Sequence, residues 1–253
     1  MSKLGDAIRR SLRTEAQPMG FGAARPAATP SMLTGFLGGQ AELEAARKAG
    51  ADLVVVDARR ASLAAGDAKK ARDAADNLAL GAWTQVADAA TAKALRQAGL
   101  DFLVIEPETT PAAALLDDDL GYVLVLPEAP EELFLRSLEP LHLEALYLPP
   151  GRWSGPLTVA GQVELSRIGA LSRRPLICEA APETSKEELQ CLRAAGVAVL
   201  LVSSATGISR LKETVGSLPP RRQRREERPV LSLPRGQAPP EVEEEDDDDR
   251  NAL

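Results

Sequence analysis

Three twelve-residue stretches share one arrangement of polar and apolar positions: ARKAGADLVVVD at 46–57, LRQAGLDFLVIE at 95–106 and LRAAGVAVLLVS at 192–203. Each reads as the last turn of a helix, then a glycine (Gly50, Gly99, Gly196) able to adopt the left-handed conformation that ends helices, then an unbroken aliphatic run. A run with no polar face predicts a strand covered on both sides, as in a parallel sheet whose strands follow helices. The offsets of 49 and 97 residues approximate one and two multiples of a single period. A period near 49 is about two β/α units long.

The same reading between these anchors predicts eight strands, at 32–37, 53–57, 78–84, 102–106, 122–126, 145–148, 176–179 and 197–202. Helices are predicted at 41–49, 67–76, 89–98, 111–116, 130–138, 159–171, 186–195 and about 207–217. Thr184, with Glu187 three residues on, predicts a capping box worth about 1 kcal/mol at the start of the seventh of these. Eight alternating strands and helices in about 190 residues favour an α/β fold closed as a (β/α)8 TIM barrel. An open doubly wound sheet is the alternative, and no G-x-G-x-x-G turn follows the first strand to support its dinucleotide-binding form.

Outside this body, 31–218, the pattern changes. Leu4, Ile8 and Leu12 form one apolar stripe at spacing four, which predicts a short basic helix within residues 2–14 that docks on its own domain. A Pro- and Ala-rich linker from Pro18 to Pro30 completes an N-terminal segment of residues 1–30. Residues 219–253 hold six prolines, seven arginines and ten acids, with RRQRREER at 221–228 and eight acids within 241–249. Such a segment buries too little apolar surface to offset its ordering entropy and is expected to be a disordered charged tail.

Composition then narrows the chemistry. The chain has 253 residues, is 44% hydrophobic and carries a net charge of −7. The tail contributes −3 of this, and the other 23 basic and 27 acidic residues leave −4 for the rest. That balance argues against nucleic acid as a partner. No apolar run approaches the ~20 residues that span a bilayer, and there is no signal-peptide core at the start, so neither a membrane nor export is expected. Two cysteines, Cys178 and Cys191, form no disulfide framework, and a reducing cytoplasm is the expected location. Only eight residues are aromatic, so the core must be built of Ala, Leu, Val and Ile.

A (β/α)8 barrel carries its chemistry at the C-terminal ends of its strands. Those positions hold Gly38 and Gly39, Asp57 with Arg59 and Arg60, Gln85, Glu106 and Glu108, Pro127 and Glu128, the stretch from Pro149 to Trp153, Glu179, and Ser203 with Ser204. All seven lysines fall in predicted helices or the N-terminal segment, which disfavours a Schiff-base lysine on a strand. His142, the one histidine, precedes strand six at the opposite face, so neither a Ser-His-Asp triad nor a histidine metal site is expected. Carboxylate chemistry remains, with Asp57, Glu106 and Glu179 as candidate catalytic groups. Repulsion or burial would raise one pKa, making that group a general acid beside an ionised base. The competing reading has these acids capping loops or pairing with Arg59, Arg60 or Arg152 on the rim.

The stretch PLICEAAPETSKEELQCLRAAGVAVLLVSSATGI, 175–208, resembles the last two units of the phosphate-binding aldolase-type barrels. That group includes indole-glycerol-phosphate synthase, thiazole synthase and FMN-dependent barrels. The resemblance implies a phosphate held by backbone N–H groups at a helix N-terminus. The motif is degenerate: Ala180 and Ala181 stand where that group has a glycine pair, Pro182, with no N–H to donate, follows them, and Ser203 and Ser204 replace Gly-Ser. What it leaves for an anion is Ser203, Ser204, Thr206 and Gly207, to which the strand-end reading adds Arg59 and Gln85. The cofactor implied is FMN or none. Glu106 and Glu179 also resemble the glutamate pair of retaining (β/α)8 glycoside hydrolases, a weaker match because Ile105 stands where that group commonly has Asn.

The expectation is therefore a barrel binding a small anionic or phosphorylated molecule at its mouth, with carboxylate acid/base chemistry if it catalyses. The alternative from another class is a non-catalytic scaffold that meets a protein partner through residues 221–249.

Overall fold

The computed structural model describes residues 2–12, 31–60, 63–85, 88–150 and 156–219. The predicted linker from Pro18 to Pro30, Arg152, Trp153 and the charged block 221–249 lie outside them.

Eight parallel strands close into a barrel in sequence order, with the last hydrogen-bonded to the first. They are β1 (Leu33–Gly38), β2 (Leu53–Ala58), β3 (Ala79–Thr84), β4 (Phe102–Ile105), β5 (Gly121–Val125), β6 (Ala145–Leu148), β7 (Leu176–Glu179) and β8 (Val197–Val202). The helices are α1 (Lys3–Leu12), α2 (Leu43–Lys48), α3 (Ala65–Ala75), α4 (Ala89–Gln97), α5 (Glu132–Ser137), α6 (Val159–Ser172), α7 (Lys186–Ala194) and α8 (Ala205–Gly216). All eight predicted strands form, within a residue or so of their expected ends. The segment predicted as a helix at 111–116 is a 3-10 turn, Ala112–Leu116, and a second such turn, Gln40–Glu42, leads into α2.

The repeated glycines carry the chain from helix to strand. Gly50, Gly99 and Gly196 have φ of 89°, 99° and 102°, a region costly for any residue with a Cβ. In the first two repeats an aspartate then locks the strand start. Asp52 accepts hydrogen bonds from Thr34 N and Oγ1 at 2.9 and 3.0 Å and pairs with Lys212 at 2.8 Å. Asp101 accepts from Leu80 N at 2.9 Å and pairs with Arg72 at 3.0 Å. Lys212 and Arg72 each also donate to the carbonyl of the neighbouring repeat glycine, Gly50 and Gly99. The 49-residue period is thus a structural unit, with one set of contacts built twice.

The predicted capping box does not form. Ser185, one residue later, caps α7 by accepting from Glu188 N at 3.2 Å, while Thr184 donates to Ala181 O. Glu188 in turn accepts from Leu157 N at 3.1 Å, tying α7 to the segment before α6.

Alternate strand residues divide two cores. One set packs outward under the helices, and the other, including Leu53, Val55, Phe102, Val104 and Val199, fills the barrel. Leu4 and Ile8 of α1 belong to the inner set and are fully buried, so the predicted apolar stripe stoppers the strand-start end of the barrel. Ser2 anchors this plug, donating from Oγ to Glu144 at 3.0 Å and accepting from Gly5 N. Among the described residues, no helix is long and apolar enough to cross a membrane.

Candidate functional site

At the strand-end mouth the inward series of each strand reaches its last members, and their polarity changes. Below them the barrel is filled by apolar side chains. At the top stand Asp57 on β2, Trp83 on β3, Glu106 directly after β4, Tyr147 on β6 and Glu179 at the end of β7. Five strands thus bring one network together.

Its centre is Arg59, in the turn after β2. The guanidinium grips Asp57 at two points, Nε to Oδ1 at 2.9 Å and Nη2 to Oδ2 at 2.6 Å, and the Arg59 backbone N–H donates to Oδ1 as well at 3.2 Å. Such a two-point fork fixes orientation as well as distance. The guanidinium carbon also lies 4.2 Å from the centroid of the Trp83 ring, a cation–π contact. Held at an edge and on a face, the side chain still leaves Nη1 without a hydrogen bond to any described residue.

Trp83 extends the network in two directions. Its Nε1 donates to Glu106 Oε1 at 3.3 Å, and its ring meets Tyr147 edge to face with centroids 4.7 Å apart. The Tyr147 hydroxyl donates to Glu179 Oε1. Trp83 and Tyr147 are only 4% and 1% exposed, whereas Asp57, Glu106 and Glu179 are half-buried and Arg59 is exposed. The aromatic pair is therefore the floor of the mouth, and the charged groups are what a ligand would meet.

Of the three carboxyls, one of which repulsion or burial was expected to raise, Asp57 shifts the other way: the Arg59 fork, above all, holds it below its ordinary value. Asp57 is therefore not the protonated acid of the mouth and instead holds Arg59 in place. The Arg59 pKa is raised in return, mainly by the same hydrogen bond. Burial, and then the bond to Glu179, pushes the Tyr147 hydroxyl up, so it stays a proton donor. Burial also pushes the Cys178 thiol up to about 12. That side chain packs in the outer core, away from the mouth.

The remaining sequence-predicted residues sit around this network without joining its hydrogen bonds. Gln85 is exposed just past β3. Arg60, Glu108 and Glu128 are exposed on the rim, and His142 is exposed just before β6, at the other end. Ser203, Ser204 and Thr206 are exposed after β8, with 2.9 Å between the Ser204 and Thr206 hydroxyl oxygens. Gly207 is buried, and a Cβ there would come within 2.8 Å of Pro182 Cγ. The missing side chain at Gly207 makes room for Pro182, which follows the two alanines standing for the glycine pair. Among the described residues no cluster of three His, Cys, Asp or Glu is placed to hold a metal.

Trp83 and Tyr147 are the members of this network that the strand-end reading did not name. The signal for more was present: each occupies an inward position at the last turn of its strand, where an aromatic with a polar atom can both fill the barrel and orient a carboxylate.

No family model and no curated protein sequence matches the chain. Solved structures do resemble it in fold. The tryptophan synthase alpha chain from Legionella pneumophila subsp. pneumophila superposes with a TM-score of 0.57 at 10% identity, covering 85% of this chain and 96% of that one. Thiamine phosphate pyrophosphorylase from Pyrococcus furiosus gives 0.55 at 13%, covering 74% and 96%. An HpcH/HpaI aldolase from Desulfitobacterium hafniense gives 0.52 at 13%, covering 74% and 94%. The chain shares the (β/α)8 barrel fold with these proteins, and at these identities the likeness is one of fold.

Proposed function

We propose that the chain binds a small molecule through its anionic group at the strand-end mouth, with Arg59 receiving the anion and Glu106 and Glu179 available for proton exchange. The observation that carries this reading is the Asp57–Arg59–Trp83 clamp. One edge and one face of the guanidinium are committed to holding it still, and Nη1 remains to bind. A pre-oriented arginine loses little side-chain freedom on binding, the cost that usually weakens recognition by flexible cations. Gln85 and the hydroxyls of Ser203, Ser204 and Thr206 would complete the rim around a carboxylated or phosphorylated ligand. Gly207, covered by Pro182, contributes less to this site than the resemblance implied.

A second reading has its own observation. With α1 at one end and the Trp83–Tyr147 floor under Arg59 at the other, the barrel axis is filled throughout, as a non-catalytic scaffold would allow. In that case the chain's partner would be a protein met through residues 221–249.

One experiment separates them. Thermal unfolding of the full chain is followed with inorganic phosphate, sulfate, FMN and small carboxylates with and without an amino group, in wild type and in Arg59→Met. Binding at a hundred times Kd adds about 2.7 kcal/mol to stability, a readily measured shift in Tm. The mouth reading requires a saturable shift with at least one of these that Arg59→Met abolishes. An absence of shifts, or equal shifts in the variant, overturns it in favour of the scaffold.

A further inference from the structure

We infer that the ligand of this mouth is a small amino carboxylate, a zwitterion whose carboxylate sits on Arg59 and whose ammonium group sits between Glu106 and Glu179. The inference rests on the mouth reading above and specifies the chemistry that reading leaves open.

The charges of the network do not balance around a simple anion. Arg59 is the one cationic side chain in it, and Asp57 already neutralises that charge through a two-point ion pair. Two further carboxylates face the same opening. Glu106 has one oxygen satisfied by Trp83 and Glu179 has one satisfied by Tyr147, both by neutral donors that leave the charge in place. The second oxygen of each accepts no hydrogen bond from a described residue. The mouth therefore offers N–H donors at one point and unused carboxylate oxygens at two others.

A ligand that satisfies all of these must bring an acceptor and a donor, and the donor is best cationic. An inorganic phosphate or a doubly charged phosphate ester meets Arg59 but then faces the two glutamates, so like charges are brought together. A simple amine meets the glutamates and leaves Nη1 unused. Because the floor is nearly inaccessible, the site is shallow and the ligand small.

The test is isothermal titration of the full chain at neutral pH with glycine, L-alanine, β-alanine and γ-aminobutyrate. The controls are butyrate, propylamine, lactate and inorganic phosphate. At least one amino carboxylate is expected to bind ten times more tightly than every control. Glu106→Gln combined with Glu179→Gln is expected to remove that advantage and leave Arg59-dependent binding of butyrate intact or improved. Butyrate, lactate or phosphate binding as tightly as every amino carboxylate, through Arg59, overturns this inference and spares the mouth reading. If nothing binds, or if binding persists in Arg59→Met, the mouth reading falls with it. Circular dichroism of each variant confirms that the barrel is folded, so that lost binding reports on the mouth.

Discussion

At the strand-start end of the barrel, Asp101 accepts from Leu80 N, pairs with Arg72 and lies 3.7 Å from Lys3. Five residues along the same repeat, at the strand-end mouth, Glu106 accepts from a single indole N–H. The first repeat shows the same direction of change: Asp52 binds Thr34 twice and Lys212 once, while Asp57 turns to Arg59 in its own loop. Glu144, at the strand-start end before β6, is likewise engaged by Ser2. Carboxylates at one end are used up in building the fold, and at the other they are partly free. Fold-making acids are saturated by backbone N–H groups and helix cations, so a half-satisfied acid on the same scaffold marks where stability has not consumed the residue.

The largest effect expected from this contrast is at Asp101. Asp101→Ala takes the carboxylate from Arg72, which keeps only the carbonyls of Asp76, Leu78 and Gly99, and leaves Leu80 N without its side-chain acceptor; removal of one partner from such a partly buried pair costs about 2–3 kcal/mol. Urea unfolding should show a lower midpoint with an unchanged m-value. A loss under about 1 kcal/mol would show that the strand-start acids are dispensable and would dissolve the distinction between the two ends.

The middle of the scale is Asp57, which belongs to the mouth yet is tied to a cation. Its folded pKa lies below the ordinary value of 3.8. The stabilisation from the Arg59 pair is therefore complete above pH 3.8 and is lost as the pH falls from there through the folded value. An exposed pair of this kind contributes about 1 kcal/mol or less, so the structural signature is the sharper readout. In a Trp153→Phe background Trp83 is the sole tryptophan, and its emission reports the guanidinium resting on its ring. Emission should be flat from pH 7 to pH 4 and change below that, and Asp57→Asn should show the acid-form emission at pH 7. A transition centred near pH 6 would mean that some other group controls Arg59.

Most of the scaffold was legible in the sequence, and the network was not. The strands could be placed because each is an apolar run delimited by a repeat glycine or a helix end, and burial on both faces of a parallel strand leaves no ambiguity of period. Asp57, Glu106 and Glu179 could be placed at the mouth because strand ends follow from strand assignments. Which neighbour each would choose depends on side chains brought from other strands. Asp57 found Arg59 two residues away, whereas Glu179 found Tyr147, 32 residues distant. The failed capping box at Thr184 has the same cause on a smaller scale. Thr184 turned to Ala181 O, Ser185 took the cap one residue on, and Glu188, three residues after Ser185, went to Leu157 N, a partner that only the packing of α6 against α7 supplies.

The smallest expected effect tests the contrast most directly. Glu106→Gln and Glu179→Gln each keep the volume and an oxygen able to accept from Trp83 or Tyr147, so neither removes a structural hydrogen bond. Each replaces a charge whose hydrogen-bond partner in the network is a neutral donor, Glu179 also lying within electrostatic reach of Arg59, and each should shift stability by no more than about 0.5 kcal/mol at pH 7. A slight gain is the expected sign, because these substitutions relieve negative charge gathered around one opening. Paired with Asp101→Ala on the same urea gradient, they measure how far the two ends of the barrel differ. A loss above about 2 kcal/mol at either glutamate would make it as structural as Asp101, and the mouth would then be a filled end of the barrel with no group held in reserve for a ligand.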